Sequence, residues 1–227
     1  RIKSNKKQGL LGVNIGPNKD SSDRMNDYLI GIEKFHEVAD YITINISSPN
    51  TENLRDFHQE TKLQELLKSI SEKKKKLKTE IPIAIKISPD IQENQIELIT
   101  GILLDNEIAA IIISNTSEGS RETLQNIQKY QKGGLSGKPI EKKSNILISK
   151  FYNLVKGKIK IIGVGGVDSG QAAYEKFKLG ADYVQLYTGM VFQGPNIAGI
   201  IKKDLKELLI RDGVKNFTEI IGNKSLS

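Results

Sequence analysis

The chain has 227 residues, no cysteine, two histidines and a formal net charge of +7. This length suffices for one large domain with a substantial core, and no shift in composition marks a linker, so we treat residues 1–227 as a single domain. The absence of cysteine excludes disulfides, thiolate metal sites and a cysteine nucleophile. The two histidines, His36 and His58, lie in polar segments that we expect to be exposed, so we expect neither a metal site nor a histidine-based triad.

Lysine dominates the positive charge, with four lysines in succession at residues 73–76. A basic surface can indicate an anionic partner such as nucleic acid, or attraction to an anionic membrane surface. No aromatic residues interleave with this run as stacking platforms for bases. We therefore interpret the run as a solvated helix face and expect no nucleic-acid partner. No apolar stretch reaches the roughly 20 residues of a membrane-spanning helix.

Predicted strands and helices alternate along the chain. Apolar, β-branched segments predict strands at residues 10–15, 41–46, 83–87, 110–114, 160–164 and 183–187. Apolar residues at helical spacing predict helices at residues 22–35, 62–76, 92–104, 139–155, 169–179 and 197–209. Strict alternation of strand and helix implies a parallel sheet, which is either open and doubly wound or closed into a barrel.

Three features favour the barrel. Polar or glycine residues follow every predicted strand, no GxGxxG sequence follows the first strand, and the last two strands end in glycine-containing turns, where barrels commonly hold a phosphate. The prediction is therefore an α/β protein with the (β/α)8 TIM-barrel fold. Six βα units are two short of that fold, so we expect about two further units upstream of Arg1, which is not a methionine.

The segment from Tyr41 to Thr51 begins as a strand and ends in small polar side chains. Pro49 ends the strand, because proline has no N–H for the ladder and restricts Ser48. Asn45 and Asn50 flank that turn. Carboxyl ends of strands are where α/β proteins place their chemistry.

Lys86 interrupts the apolar strand at residues 83–87. A lysine there must either face the barrel interior or lie on an exposed edge strand, because burial without a partner is costly. We favour the interior, given the apolar neighbours on both sides. Such a lysine could hold an anionic ligand or a ring that gains negative charge on reduction.

Two further groups of residues point to a ligand. Residues 163–166 read Gly-Val-Gly-Gly, a turn that lets backbone N–H groups approach a phosphate and that precedes a helix N-terminus. Asparagine, a poor strand residue, recurs at two other strand ends besides the Asn45–Asn50 segment, and amides supply both donors and acceptors to a planar ligand. The asparagines concerned are Asn14, Asn45, Asn50 and Asn115.

These residues together resemble the dihydroorotate dehydrogenase family, specifically its class 2, quinone-linked members. The resemblance extends through essentially the whole chain, and its motifs are weak singly but highly specific jointly. The matching segments are residues 12–16 (GVNIG) with Asn18 and Lys19, 45–51 (NISSPNT), 86–90 (KISPD), 114–116 (SNT), 133–138 (GGLSGK), 162–167 (IGVGGV) with Ser169 and Gly170, and 184–188 (VQLYT).

The resemblance implies an FMN-containing barrel that oxidises dihydroorotate to orotate in pyrimidine synthesis. It implies Ser48 as the catalytic base, where class 1 members have cysteine. Residues matching the orotate site are Asn45, Asn50, Asn115 and Thr116. Residues matching the FMN site are Asn14, Asn45, Lys86, Ser114, Gly137, Gly165, Gly166, Tyr187 and Thr188. Ser114 stands where many members have threonine, which keeps the hydroxyl.

The resemblance also implies a mechanism and partners. Ser48 would take the C5 proton of dihydroorotate, relayed through water or Thr51, while the C6 hydride goes to FMN. Electrons would then pass to a membrane quinone. The family's membrane-associating N-terminal segment, first two strands and an asparagine-bearing loop are not in this chain, so we expect it to be inactive alone. The resemblance places the enzyme peripherally on the bacterial cytoplasmic membrane or the mitochondrial inner membrane.

Three alternatives remain open. One is another FMN barrel, such as the pyrimidine-reducing domain of dihydropyrimidine dehydrogenase, although that domain uses cysteine where this chain has Ser48. A second is a phosphate- or flavin-binding barrel without catalysis. A third is nucleic-acid binding through the basic surface, which would show a steep salt dependence.

Overall fold

The computed structural model describes residues 9–49, 54–119 and 121–224. Its strands are β1 (Gly12–Ile15), β2 (Tyr41–Asn45), β3 (Ile83–Ile87), β4 (Ala110–Ile113), β5 (Lys160–Val164) and β6 (Tyr183–Gln185). Its α-helices are α1 (Arg24–Phe35), α2 (Glu60–Leu77), α3 (Glu93–Asp105), α4 (Glu141–Val155), α5 (Gly170–Lys178), α6 (Thr188–Gln193) and α7 (Ile197–Arg211). Short 3₁₀ helices cover Leu54–His58, Ile127–Tyr130, Lys138–Ile140 and Phe217–Ile220.

The six strands form one parallel sheet in the order β1-β2-β3-β4-β5-β6. Doubly wound sheets reverse their strand order at a switch point, whereas strands of a (β/α)8 barrel follow one another around the axis. The sheet is curved, because Gln185 on β6 donates from Nε2 to the Tyr41 hydroxyl on β2 at 3.2 Å, although three strands lie between them. The fold is therefore an incomplete TIM barrel of six strands, as predicted.

Side chains alternate between the two faces of the sheet. The outer face packs against the helices in the main core, where Ile44, Ile85 and Ile111 are fully buried. The inner face holds a small second cluster of Ala84, Ala110, Ile112 and Ile162. Apolar packing thus covers the whole outer face of the sheet but only part of the inner face. Polar side chains occupy the inner face toward the carboxyl ends of the strands.

Helix ends follow the local sequence. The Asp23 carboxylate caps α1 by accepting from Asn26 N at 3.0 Å, and the Ser169 hydroxyl caps α5 by accepting from Ala172 N at 3.2 Å. The lysine run at residues 73–76 lies in the last turns of α2, as expected for a helix surface. The helix predicted from residue 139 begins at Glu141, after a 3₁₀ turn that contains Pro139.

Two structural predictions were wrong. Residues 186 and 187 were expected to continue the sixth strand, but β6 ends at Gln185 and the unpredicted helix α6 begins at Thr188. The second error concerns His58, which is only 3% exposed. Its segment is polar in sequence. In the structure, the 3₁₀ helix Leu54–His58 places the His58 ring near the carboxyl end of β3, where it forms hydrogen bonds with backbone groups.

Candidate active site

Lys86 lies on the inner face of the sheet. It sits on β3, a central strand, so the edge-strand alternative is wrong, and β-ladder pairing places it beside Asn45 on β2 and Ile112 on β4. Its side chain is half-buried, and burial lowers the pKa of its ammonium group below the usual value. A cation thus faces the interior beside an amide.

Asn45 and Asn115 meet at the carboxyl ends of β2 and β4. Asn115 Nδ2 donates to Asn45 Oδ1 and to Ser47 Oγ, each at 3.1 Å. Asn45 Oδ1 also accepts from Ser47 N at 3.2 Å. Asn115 Oδ1 accepts from Thr116 N at 2.8 Å. The network joins two asparagines that were predicted to hold one planar ligand. Its hydrogen bonds fix the orientation of both side-chain amides.

Buried groups behind this cluster fix its backbone. Ser47 is fully buried, and its hydroxyl donates to the Lys86 carbonyl at 2.7 Å. The Tyr28 hydroxyl on α1 donates to the Asn45 carbonyl at 2.7 Å, and burial raises the pKa of this phenol well above its usual value. Asn115 N donates to the Ile87 carbonyl at 2.9 Å. Sequence patterns did not indicate either Ser47 or Tyr28 as a supporting residue.

Ser48 follows this cluster directly and is half-buried. The next residue, Pro49, packs close to Gly134, where an added Cβ would lie 3.0 Å from Pro49 Cγ and 1.8 Å from Thr116 Oγ1. Only glycine fits at position 134, and its backbone closes one side of the Ser48 turn. Asn50 and Thr51, the other residues predicted in this loop, lie outside the described part of the chain.

A cavity of about 720 Å³ opens at the carboxyl ends of β3 to β6. Its volume is in the range of roughly 300–1,000 Å³ that holds small molecules and cofactors. Nine of the predicted site residues line it: Lys86, Ser114, Asn115, Thr116, Gly137, Gly165, Gly166, Tyr187 and Thr188. Asn45 reaches it through its hydrogen bond to Asn115, whereas Asn14 lies exposed on β1, an edge strand of this sheet.

Glycines form the wall of this cavity after β5. Gly165 and Gly166 have φ angles of +104° and +77°, a region that side chains disfavour. An added Cβ on Gly166 would lie 2.4 Å from Glu141 Cβ. Gly137, at φ +77°, approaches Thr188 in the same way, with an added Cβ 2.8 Å from Thr188 Cγ2. Barrels frequently hold a phosphate with the loops after their last two strands and the start of a short extra helix, and this turn and α6 occupy those positions.

A charged cluster joins the segments that follow β2, β3 and β4. Arg55 forms ion pairs with Asp90 at 3.2 Å and Glu118 at 2.9 Å. Burial raises the pKa of Asp90, but hydrogen bonds from Lys143, Ser117 and Glu118 N outweigh it and hold that pKa below its usual value. Asp90 therefore ties together the segments that follow β2, β3 and β4, together with helix α4.

His58 contacts the same cluster. Its Nδ1 lies 2.9 Å from the Arg55 carbonyl, and its Nε2 accepts from Ser88 N at 3.3 Å. Burial lowers the pKa of the ring, which is consistent with a neutral imidazole donating at Nδ1 and accepting at Nε2. The ring connects the segment after Ser48 to the strand that carries Lys86.

A second cavity of about 840 Å³ lies outside the barrel mouth. Pro49 and the long segment between β4 and α4 line it. In that segment the Arg121 guanidinium donates to the carbonyls of Lys129, Gln131 and Gly133, which pins the loop on itself. This cavity holds none of the predicted cofactor residues and lies beside the Ser48 turn.

Six parallel strands in chain order, with a polar cavity and a glycine turn at their carboxyl ends, define part of a (β/α)8 barrel. The sequence profile described as dihydroorotate dehydrogenase matches residues 1–209. This chain belongs to the dihydroorotate dehydrogenase family.

Named relatives agree with that assignment. The chain is 44% identical over 224 residues to a Bartonella tribocorum protein named dihydroorotate dehydrogenase (quinone), covering 96% of this chain and 62% of that protein. An Agrobacterium fabrum protein of the same name is 42% identical over 225 residues, covering 97% and 62%. The ligand-free enzyme of Eimeria tenella matches with a TM-score of 0.91 at 30% identity, covering 98% of this chain and 66% of that one. The chain thus spans about three fifths of the length of these curated relatives.

Proposed function

We propose that this chain is the larger part of a quinone-linked dihydroorotate dehydrogenase, which oxidises (S)-dihydroorotate to orotate in de novo pyrimidine synthesis with FMN as cofactor. The observation that carries the proposal is the cluster of Asn45, Ser47 and Asn115 beside Lys86, at the mouth of a 720 Å³ cavity. The likeness to relatives named dihydroorotate dehydrogenase (quinone) supports the same reaction.

The residues around the cavity fit FMN. The cofactor needs a phosphate site, hydroxyl partners for its ribityl chain, and donors for its ring. Gly137, Gly165 and Gly166 line the cavity, and glycine backbone lets N–H groups approach a phosphate closely. Ser114 and Thr188 supply hydroxyls in the same cavity, and Lys86 supplies a cation. We assign Asn14, Asn45 and Tyr187 to the same cofactor from the family resemblance.

FMN, when bound, supplies the acceptor for the hydride that leaves C6 of the substrate. The chain's own residues have the remaining tasks. Lys86 places positive charge on one wall of the cavity, and a buried cation stabilises negative charge that develops in the reaction. Burial lowers the pKa of Lys86, and an anionic partner would favour its protonated form.

The asparagines orient the pyrimidine. Asn45, Asn115 and Thr116 present amide and hydroxyl groups that match the donors and acceptors of a dihydropyrimidine ring and its carboxylate. Because Asn45 and Asn115 are bonded to each other and to Ser47, their orientation is set before the substrate arrives. Such preorganisation is positional catalysis. We assign Asn50 to the same task from the resemblance.

Ser48 takes the proton from C5. A serine is a weak base, so it requires a site shielded from bulk water and a proton acceptor behind it. Ser48 is half-buried and lies next to the asparagine cluster, with Pro49 and Gly134 closing one side of its turn. We assign the onward relay to water or to Thr51.

Two further assignments rest on the named relatives. We propose a membrane quinone as the final electron acceptor and a peripheral membrane location through sequence outside this chain. Among the residues described, no helix is both long enough and apolar enough to span a bilayer.

The test uses the full gene product, with whatever residues precede Arg1. Purified protein should carry FMN, and anaerobic addition of dihydroorotate should bleach the flavin, after which a quinone should restore its colour. Bound flavin without bleaching would favour a barrel that binds the cofactor but does not catalyse. Bleaching by uracil-type substrates instead of dihydroorotate would favour a different pyrimidine oxidoreductase.

A further inference from the structure

We propose that Lys176 is a positioning residue for the cofactor phosphate. Lys176 lies on the helix side of the sheet and contacts Ser144. Ser144 in turn contacts the ends of β4 and β5, which lead into Ser114 and the Gly165–Gly166 turn. This inference rests on the proposed function for the identity of the ligand, but it concerns a residue that the resemblance does not assign to any role.

Lys176 is the most deeply buried cation in the described part of the chain. It lies on α5 with its side chain 0% exposed. Its Nζ donates to Ser144 Oγ at 3.1 Å and to Asn145 Oδ1 at 2.8 Å, both on α4. Both partners are neutral. Burial lowers the pKa of the ammonium group to about 7, so retaining a lysine here is costly if it serves packing alone.

Ser144 passes this contact to the sheet. It is also fully buried, and its hydroxyl donates to the Val164 carbonyl at 2.5 Å and lies 3.3 Å from the Ile113 carbonyl. A hydroxyl has one proton to donate. Because Lys176 donates to the Ser144 oxygen, the Ser144 proton is directed to the carbonyls. Lys176 therefore fixes the direction in which Ser144 donates.

The two carbonyls end the strands that lead to the phosphate site. Val164 immediately precedes Gly165, and its carbonyl also accepts from Ser114 N at 3.2 Å. Ile113 immediately precedes Ser114. An added Cβ on Gly165 would lie 3.1 Å from Ile140 Cδ1 and 3.4 Å from Ser144 Cβ, so both side chains lie close to this turn. A shift of Ser144 would move both cavity-lining segments together.

Charge around Lys176 comes chiefly from the start of α4. Glu141 opposes the lowering of the pKa of Lys176, and Lys138 adds to it. Asp204 on α7 packs against Gly170, at the start of the helix that bears Lys176. A phosphate dianion bound at Gly165–Gly166 would be a further anion on this side of the sheet, and it would favour the protonated form of Lys176.

Two substitutions in the full gene product test the proposal through the Kd for FMN, measured by the fluorescence of released flavin. Lys176→Met keeps the length of the side chain but removes its charge and donors. Lys178→Met is the matched control, since it removes a partly exposed lysine from the same helix. We expect Lys176→Met to weaken FMN binding about tenfold or more, and Lys178→Met to change it less than about twofold.

A second pair keeps the test informative if Lys176→Met does not fold. Ser144→Ala and Asn145→Ala each remove one partner of Lys176, but only Ser144 contacts the two strand ends. We expect Ser144→Ala to weaken FMN binding about tenfold and Asn145→Ala to leave it within about threefold of the wild type. Equal effects of the two changes on Kd would overturn the proposal.

The pH dependence separates positioning by a charged group from packing. The phosphate is a dianion above its second pKa of about 6, so the Kd is compared at pH 7 and pH 9. If phosphate binding favours protonated Lys176, the affinity for FMN falls as pH rises. The fall is about tenfold for each unit by which FMN binding raises the pKa of Lys176. Lys86 faces the same cavity and also has a lowered pKa, so it can contribute to the pH dependence of the Kd. The part that belongs to Lys176 is the difference in this pH dependence between the wild type and Lys176→Met. We expect a smaller slope in Lys176→Met; an unchanged slope would contradict the proposal.

The outcomes also separate this proposal from the proposed reaction. Wild-type protein that binds FMN but is not bleached by dihydroorotate would overturn the reaction and leave the Lys176 comparison valid. Wild-type protein that is bleached normally, with unchanged FMN affinity in Lys176→Met and Ser144→Ala, would overturn the role of Lys176 alone.

Discussion

The side-chain amide of Asn115 donates to Oδ1 of Asn45 at 3.1 Å, joining residues 70 positions apart in the sequence. This contact brings the carboxyl ends of β2 and β4 to one point, across the strand that carries Lys86. A substrate held by both amides would lie directly over the inner face of β3. The contact therefore orients both predicted substrate groups relative to the cation.

Removing one member of this pair should weaken substrate binding without loss of cofactor. In Asn115→Ala, Asn45 Oδ1 loses a donor and the substrate loses an amide partner. Hydrogen bonds of this kind contribute about 1–3 kcal/mol when a polar partner is left unpaired, so we expect the KM for dihydroorotate to rise about 10- to 100-fold. The control is Asn94→Ala, an exposed site on α3. An unchanged KM in Asn115→Ala, measured by steady-state kinetics on the full gene product, would contradict the assignment.

The glycine turn after β5 should tolerate no side chain. Gly166→Ala places a Cβ 2.4 Å from Glu141 Cβ at a φ of +77°, which adds a steric clash to a backbone strain of about 1–2 kcal/mol. We expect FMN affinity to fall more than tenfold, measured as the Kd for FMN.

A matched substitution distinguishes this local effect from a general loss of stability. Gly199 lies within α7, and an added Cβ there meets nothing within 4 Å. Gly199→Ala should keep FMN affinity and raise Tm slightly, since alanine favours helix over glycine. Equal FMN affinity in the two variants would show that the turn does not contact the cofactor.

His58 should make the stability of the protein depend on pH. Burial lowers its folded-state pKa, while the unfolded value is about 6.5. Below that value the unfolded chain binds the proton more readily, so the free energy of unfolding falls as pH falls and this contribution is fully present only above about pH 6.5. We expect Tm to decrease between about pH 7 and pH 5.5, less steeply in His58→Gln.

The chain has one other histidine, which provides the control. His36→Gln should leave the slope of Tm against pH as it is in the wild type. If His58→Gln and the wild type have the same slope, the buried imidazole does not govern stability in this range. Carboxylates titrate mostly below this window, so they contribute little to the comparison.

The sequence was sufficient for those parts of the fold that rest on local patterns. Ile85 and Ile111 belong to apolar, β-branched segments that are typical of parallel strands covered on both faces, although Lys86 interrupts the first of them. The predicted helices 22–35 and 169–179 start close to α1 and α5, whose first turns are capped by Asp23 and Ser169. The barrel was favoured over the open sheet because glycine turns follow the last two strands, and the observed strand order agrees with it.

The supporting residues of the site could not be found in the same way. His58 and Lys176 stand in polar-looking segments, and their burial depends on contacts with distant helices and strands. Ser47 resembles any serine in a turn until its hydroxyl reaches the Lys86 carbonyl. Helix α6 is six residues long, too short for apolar periodicity to show. These features depend on tertiary contacts, which single-sequence patterns do not encode.

The role of Ser48 is the central claim, and single-turnover reduction of the bound flavin by dihydroorotate tests it most directly. General-base catalysis contributes about 10²- to 10⁴-fold, so Ser48→Ala in the full gene product should slow reduction by at least about 100-fold while FMN stays bound. Dihydroorotate deuterated at C5 should show a kinetic isotope effect in the wild type. Reduction of Ser48→Ala at the wild-type rate, with FMN fully bound, would contradict the assignment of Ser48 as the base.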